Sequence, residues 1–365
     1  MKKKILHIIG GMGRGGAPIF IVNNLKHIDD TKVQFDFLCR KDNCAYNDII
    51  QQHGGRLFVV PPFPKRIFSN FFQTYLFFKK HATEYEAIHV HANALYYILP
   101  LVLGKVFGIK KIILHSHSTH SSVGFLKALH YINRSTVSRL ANIHLACSQE
   151  AGIWMYKDKS FEVINNAVDA TKFKFSPGNR DEIRKEFGIS NETYVVGHVG
   201  RFETVKNHSF IVDVFKKFHE ENPSSALFFV GEGSLLDEIK QKVESLGLKD
   251  VVYFSGPRYD VDKIYSAFDL FLLPSLFEGL PFVLIEAQCS GVDCLVSSNV
   301  TNEAFITDLV TSLKLDDNID TWVSTMQILS KSKKDRSLFS KIIEDKHYNI
   351  EYTASRLTEI YTEEL

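Results

Sequence analysis

No two of the five cysteines (Cys39, Cys44, Cys147, Cys289, Cys294) stand in CxxC spacing, and their number is odd. That argues against a zinc ribbon, a redox pair or a disulfide framework and leaves free thiols in a reducing compartment as the expectation. An excess of one charge is also missing: 43 Lys and Arg face 42 Asp and Glu. Binding to nucleic acid through wholesale phosphate neutralisation is therefore not indicated. No apolar run approaches the ~18 residues of a membrane span. The start, MKKKILHIIGGMG, has basic residues ahead of apolar ones as a secretory leader does. Its apolar run stops at a glycine pair, short of the ~7–15 residues of a leader core. The expectation is a cytoplasmic protein, free to touch the inner face of a membrane. Low-complexity segments and short-period repeats are lacking too.

What is present is globular composition, 45% hydrophobic and 23% charged over 365 residues, enough for two domains with a core each. In the first half, KILHII, VQFDFL, RLFVV, AIHVH, KIILHSH and IHLACS read as strands, with helical patterns between most of them. Strands alternating with helices indicate a parallel sheet. Residues 161–180, FEVINNAVDATKFKFSPGNR, carry turn residues and a Pro-Gly pair, and the hinge is placed there. The pattern then restarts with YVVGHVG, ALFFVGEG, VVYFSG, LFLLPS and DCLVSS. Helical segments are expected after Lys206, Ser234, Val261, Pro281 and Asn302. This divides the chain into a first domain over 1–170 and a second over 171–346, with a closing helix over about 347–365 that packs back on the first. Both are Rossmann-like, doubly wound α/β units, whose ligands bind beyond the carboxyl ends of the strands. Two such sheets facing each other would hold their ligands in the cleft between them.

Four strand ends carry candidate chemistry. GGMGRGGAP (10–18) contains G-x-G-x-x-G as Gly11, Gly13 and Gly16 between a strand and a helix, where glycine permits close backbone approach and the helix start offers N–H groups to a phosphate. A nicotinamide cofactor would be held this way, and so would another phosphate; a plain tight turn has the same sequence. The acidic residue such a cofactor needs after the second strand is ambiguous between Asp36 and Asp42. In GHVGRFETVKNH (197–208), Arg201 and Lys206 stand five residues apart at a loop-to-helix junction, placed either for a diphosphate or as solvated surface cations. FVGEGS adds a glycine turn at Gly231. LFEGLPFVLIEAQCSG (276–291) puts Glu278 ahead of a helix that Pro281 opens, and Glu286 upon it. Two carboxylates in so apolar a stretch need partners. Vicinal sugar hydroxyls would supply them; a helix cap and a solvated side chain are the plain alternative.

With these residues in view, the chain resembles the retaining glycosyltransferases of the GT-B fold, family 4-like, of the bacterial exopolysaccharide and capsular polysaccharide type. The resemblance runs over nearly the whole chain, through GGMGRGGAPIF, HSHST (115–119), VINNAVD (163–169), VGRFETVKN, VGEG and FEGLPFVLIEA, the last being the family's E-x7-E motif. It implies two Rossmann-like domains facing across a cleft and transfer of a sugar from a nucleotide-sugar, with UDP the expected nucleotide, to a saccharide or lipid-linked acceptor. Arg201 and Lys206 would neutralise the diphosphate. Glu278, with the backbone of Gly279 and Leu280, would hold sugar hydroxyls, and Glu286 the ribose. Gly15, Gly16 and Gly231 would let backbone approach the donor, and Arg258 would border the base. His117 would contact the donor sugar near the reacting carbon, with Arg14, His91 and His115 on the acceptor side. In GVDCLVSS, Asp293 stands where the family often has proline, and TNEAF (301–305) has no assigned role.

Cationic groups of this kind replace a divalent metal at a departing diphosphate. The D-x-D at Asp260 and Asp262 reads as a helix cap, so neither metal nor other cofactor is expected. His89, His91, His115, His117 and His120 invite a zinc reading, but no carboxylate or cysteine completes the set, and polar strand ends lining a sugar site account for them better. A nucleotide-sugar 2-epimerase of the same fold, or an NAD(P)-dependent oxidoreductase, are the competing activities. Finally, PPFPKRIFSNFFQTYLFFKK (61–80) reads either as a core helix with basic ends or as a surface that meets anionic lipid.

Overall fold

The computed structural model describes residues 2–13, 15–119, 125–332 and 334–364, and the chain divides into two units, one of residues 1–167 with 350–365 and one of residues 168–349. The first holds a sheet of seven strands: β1 (Lys3–Ile9), β2 (Val33–Cys39), β3 (Leu57–Val59), β4 (Ala87–Ala92), β5 (Lys111–Ser116), β6 (Ile143–Ala146) and β7 (Glu162–Val163), in the order β3-β2-β1-β4-β5-β6-β7. The second holds β8 (Tyr194–Val199), β9 (Ser225–Val230), β10 (Val252–Phe254), β11 (Leu270–Leu273), β12 (Asp293–Ser297) and β13 (Val310–Leu313), in the order β10-β9-β8-β11-β12-β13. Every pairing between these strands is parallel.

Parallel strands covered on both faces are expected to be apolar along their length. Leu270 to Leu273 and Ser225 to Val230 are buried throughout, and each sheet has its own core, around Leu6, Ile88 and Leu114 in one and Val196, Leu227 and Leu272 in the other. Each topology reverses direction at its first strand. β1 has β2 on one side and β4 on the other; β8 has β9 and β11. Loops from adjacent strands diverge at that point and leave a crevice at the carboxyl edge.

One element departs from the sequence reading, and two others are placed more closely. The segment after Asn302 is a three-residue 3-10 turn, Asn302–Ala304, capped by Thr301, and β13 follows it directly. Residues 161–180, where the hinge is placed, contain the boundary between the units at 167/168, together with β7 and the start of the helix Pro177–Glu186, whose Asn179 N–H donates to Ser176 Oγ at 3.3 Å. The Pro-Gly pair thus opens a helix, as proline at a first helical position does. The closing helix, Ile350–Thr362, belongs to the first unit. Thr353 Oγ1 donates to Asn24 Oδ1 at 3.2 Å, and the buried Lys111 ammonium donates to the carbonyls of Ile360 and Tyr361 at 2.9 and 3.1 Å, satisfying the helix end. All five cysteines are free thiols, four of them buried. No helix among the described residues is long and apolar enough to cross a membrane.

Candidate functional site

In the second unit, the loops leaving β8, β9 and β11 are tied together by backbone. Phe202 N–H donates to Glu232 O at 2.9 Å and Leu235 N–H to Phe202 O at 3.0 Å. Gly231 has φ of 136°, and a Cβ there would stand 2.1 Å from Gly200 O, so any side chain would drive the two loops apart. After the 3-10 turn Thr204–Lys206, Asn207 turns the chain into the helix His208–Glu221 from the left-handed region (φ 56°, ψ 43°), which asparagine tolerates better than most residues. Its amide donates to Pro274 O at 3.2 Å, and Leu276 N–H donates to Val205 O at 2.8 Å, fastening the β11 loop to the β8 loop.

This framework brings Lys206 and Glu278 together. Lys206 Nζ lies 2.5 Å from Glu278 Oε1, both side chains about 15% exposed (16% and 15%), and Ser275 Oγ donates to the same oxygen at 2.9 Å. Glu278 is also set by a parallel bridge to Val300, the residue before TNEAF. An ammonium has three donors, and Glu278 takes one. A Cβ at Gly279 would meet nothing within 4 Å, so the backbone beside this pair is open to a ligand. Pro281 then leads into the helix Phe282–Cys289.

Glu286 sits within that helix, partly buried, and Oε2 accepts from Tyr265 O–H at 2.9 Å. Burial pushes its carboxyl up to about 7; the charge of Asp262 adds to that, while the Tyr265 bond and Lys172 oppose it. The other two donor candidates are engaged elsewhere. Arg201 is 57% exposed and pairs with Glu203 at 2.6 Å. Arg258 is clamped by Glu186 (2.5 and 3.0 Å) and Asp260 (2.8 Å twice), hydrogen bonds that raise its pKa further. A guanidinium with its fork on two carboxylates is poorly placed to border a base. The same contact corrects the reading of Asp260: it occupies the N-cap position of Val261–Ala267 but makes no capping bond, because Arg258 holds its carboxylate. Asp262 pairs with Lys172 at 3.4 Å.

In the first unit the glycine loop stands at the carboxyl end of β1. A Cβ on Gly11 would press within 2.4 Å of Asn43 Oδ1, whereas one on Gly16 would meet nothing within 4 Å. A side chain at the first glycine would displace the Asn43 amide, while the helix start at the other is uncovered; Gly15 is the N-cap of the helix Gly16–His27. Arg14 and His120 lie outside the described residues. Asp36 is fully buried and holds Arg56 (2.6 to 2.9 Å) and Tyr85 O–H (3.0 Å), which makes it a structural carboxylate and not a ribose ligand.

Register explains the histidines. His7 pairs with His89 across β1 and β4, and His91 with His115 across β4 and β5, so the rings of alternate residues stack on one face of the sheet. His7 Nδ1 lies 2.9 Å from His91 Nε2, His91 Nδ1 lies 2.8 Å from His117 Nε2, and His89 joins His115 (3.2 Å) and Tyr361 O–H (2.6 Å). His89 and His115 are fully buried and His91 is 6% exposed, while His117 is only partly covered. His115 therefore supports its neighbours and does not line an open strand end, and the same holds for His89 and for His91. Burial holds all five rings neutral, pushing His7 and His117 down to about 3 and the other three well below their usual range. Two triads, His7–His89–His91 and His91–His115–His117, bring ring nitrogens within 4.8 Å of one another. Both consist of neutral histidine alone, with one ring-to-ring hydrogen bond in each, His7 to His91 and His91 to His117.

Sequence reasoning missed Ser275, Asn207, Tyr265 and His7. Ser275, three residues before Glu278 at the end of β11, carries a signal in its strand-end position. Tyr265 carries none, since only the fold brings its helix to Glu286.

The family described as "Glycosyl transferases group 1" matches residues 179–345, which span the whole Lys206–Glu278–Glu286 arrangement. The chain is 30% identical to the putative glycosyltransferase EpsF of Bacillus subtilis (strain 168), over 99% of this chain and 96% of that one. It is 26% identical, over 82% of its length and 81% of the relative's, to an Escherichia coli enzyme named UDP-Gal:alpha-D-GlcNAc-diphosphoundecaprenol alpha-1,3-galactosyltransferase. Among solved structures, Anabaena HepE in complex with UDP superposes with a TM-score of 0.77 at 18% identity, over 99% of both chains. A Rickettsia africae glycosyltransferase superposes with 0.78 at 13% identity, over 99% of this chain and 98% of that one. The chain belongs to the group 1 glycosyl transferases, and its two parallel-sheet units have the GT-B fold.

Proposed function

We propose that the protein is a retaining transferase that moves a sugar from a UDP-sugar to a saccharide or lipid-linked saccharide during cell-surface polysaccharide assembly at the inner face of the cytoplasmic membrane. The observation that carries this reading is the Lys206–Glu278 pair at the reversal point of the second sheet, beside the open backbone of Gly279. Two relatives support the choice of donor and acceptor. HepE is known in complex with UDP and with UDP-glucose, and the Escherichia coli enzyme is named for a UDP-galactose donor and a diphosphoundecaprenol-linked acceptor.

On this reading the donor's diphosphate lies over Lys206, with Arg201 swinging from Glu203 to join it. As the bond between the anomeric carbon and the phosphate oxygen breaks, negative charge grows on the diphosphate. A fixed ammonium and the start of the helix Phe282–Cys289 are already oriented to receive it. Glu278 and the backbone of Gly279 and Leu280 hold sugar hydroxyls, and Glu286 holds the ribose. Gly15, Gly16 and His117, at the strand ends of the first unit, are assigned to substrate contact. The acceptor oxygen attacks the face the diphosphate leaves, and a donor phosphate oxygen takes its proton, so the configuration is retained without an enzymic nucleophile. No metal is needed, because Lys206 and Arg201 supply the positive charge.

The test offers UDP-glucose, UDP-galactose and UDP-N-acetylglucosamine with a diphosphate lipid-linked sugar, and follows product anomer by NMR with and without EDTA. An α-linked product insensitive to EDTA is expected. A β-linked product, loss of activity with EDTA and rescue by Mn²⁺, or an isomerised donor sugar without acceptor would each overturn a stated part.

A further inference from the structure

The helix Ile67–His81 is seated with its polarity reversed. Its polar residues face inward: Asn70 and Thr74 are 1% and 0% exposed, Asn70 Nδ2 donates to Pro61 O at 2.6 Å, and Thr74 Oγ1 lies 3.4 Å from Tyr97 O–H. Its apolar residues face outward: Phe68 is 91% exposed, Phe72 59%, Phe71 54% and Ile67 53%, with Tyr75 and Leu76 beside them. Positions 67, 68, 71, 72, 75 and 76 follow helical spacing, so they form one continuous stripe. Of the ring-rich segment read as a possible core helix, only Phe78 is fully buried.

Cations bracket the stripe. Lys65 and Arg66 precede the helix and Lys79 and Lys80 lie in its last turn, all exposed. From residue 49 to residue 149 the chain carries eleven Lys and Arg against two acids, Glu84 and Glu86, although the whole chain is balanced at 43 and 42. Glu84 is itself paired with Arg56 at 2.7 Å. On the neighbouring helix Leu99–Val106, Val106 is 68% exposed, with Lys105 and Lys110 exposed close by in sequence, and Phe107 packs against Tyr75 with ring centroids 5.6 Å apart. Apolar surface with a basic margin therefore extends beyond a single helix.

We propose that this face is a docking surface for an anionic lipid bilayer. The phenylalanines enter the boundary between headgroups and acyl chains, and the lysines and arginines meet the lipid phosphates. A contiguous exposed apolar stripe is uncommon on a protein surface that faces only water. A second copy of the chain is the less suitable occupant, because pairing two such faces would bring the basic ends of both helices together. Docking of this kind would hold the first unit at a membrane and raise the local concentration of any acceptor carried there. It does not rest on the identity of the donor or acceptor, because vesicle binding reads the surface alone.

The experiment co-sediments the full chain with vesicles of phosphatidylcholine alone and with about one third phosphatidylglycerol, at low and high salt. Preference for the anionic vesicles of about tenfold or more, weakened by salt, is expected. The combined change Phe68→Ser, Phe71→Ser and Phe72→Ser is expected to lower that binding about tenfold or more with an unchanged melting temperature, since these rings are exposed. Should that variant fail to fold, Lys65→Glu with Lys79→Glu and Lys80→Glu serves in its place, with the same expected loss. Wild-type protein remaining in the supernatant at low salt, or either variant sedimenting like wild type, overturns the proposal. So does a dimer seen by sedimentation velocity that the phenylalanine changes dissolve.

Discussion

The two units share a strand order and differ in what they place at its reversal point. The first puts five neutral imidazoles there, linked ring to ring. The second puts an ion pair there, Lys206 with Glu278, and carries further pairs elsewhere, Arg258 with Glu186 and, just ahead of β11, Arg180 and Arg184 with Asp269. A column of neutral rings tolerates burial because it carries no net charge, although His7 Nε2 and His115 Nε2 have no hydrogen-bond partner, whereas a charged pair near the surface is ready to exchange its partner for a ligand.

The largest effect that breaks this comparison is acid. In the first unit burial lowers His7, His89, His91, His115 and His117; in the second it lowers His198 and His208. A ring neutral when folded and near 6.5 when unfolded contributes stability that is complete above pH 6.5 and is lost as pH falls below it, toward about 3. Between pH 7.5 and 5.5 each such ring costs on the order of 1 kcal/mol, so the first unit should weaken more than the second. The only tryptophans, Trp154 and Trp322, lie one in each unit. Urea unfolding of Trp154→Phe and Trp322→Phe variants at both pH values reads them separately. Equal acid sensitivity would contradict the contrast.

Next in size, Lys206→Ala and Glu278→Ala are each expected to reduce kcat/KM by about 100-fold or more, roughly 3 kcal/mol of transition-state stabilisation. Near-normal turnover in steady-state assays would remove the pair from the chemistry. Glu286→Gln sharpens the comparison from the opposite sign. A carboxyl raised to about 7 when folded destabilises the unit progressively as pH rises from about 4.5 through 7. The glutamine variant should therefore gain roughly 3 kcal/mol of stability at pH 8 and little near pH 4.5, read from Trp322, while losing affinity for UDP. The smallest effect is assigned to Arg258→Ala, less than about threefold in UDP affinity by calorimetry, because Glu186 and Asp260 already occupy its guanidinium.

Much of this was legible in the sequence. Apolar runs alternating with helical spacing mark both sheets, and Pro281, Glu278 and Glu286 mark a loop-to-helix junction whatever the fold around it. What stayed hidden depends on long-range contacts. Val310–Leu313 is a short, half-exposed edge strand with little apolar pattern, and Thr301 starts only a single turn before it. Tyr265 reaches Glu286 from another helix, and Glu186 reaches Arg258 across 72 residues of chain. Histidines at alternate strand positions are visible as a pattern, but their burial depends on the helices that cover them, including Tyr361 from the far end of the chain.

The most direct measurement compares uridine, UMP and UDP by isothermal titration against wild type and Lys206→Ala. If the second unit's ammonium grips a diphosphate, wild type gains affinity sharply from UMP to UDP and the variant loses most of that gain while binding uridine equally well. A variant that still distinguishes UDP from UMP as wild type does would contradict it.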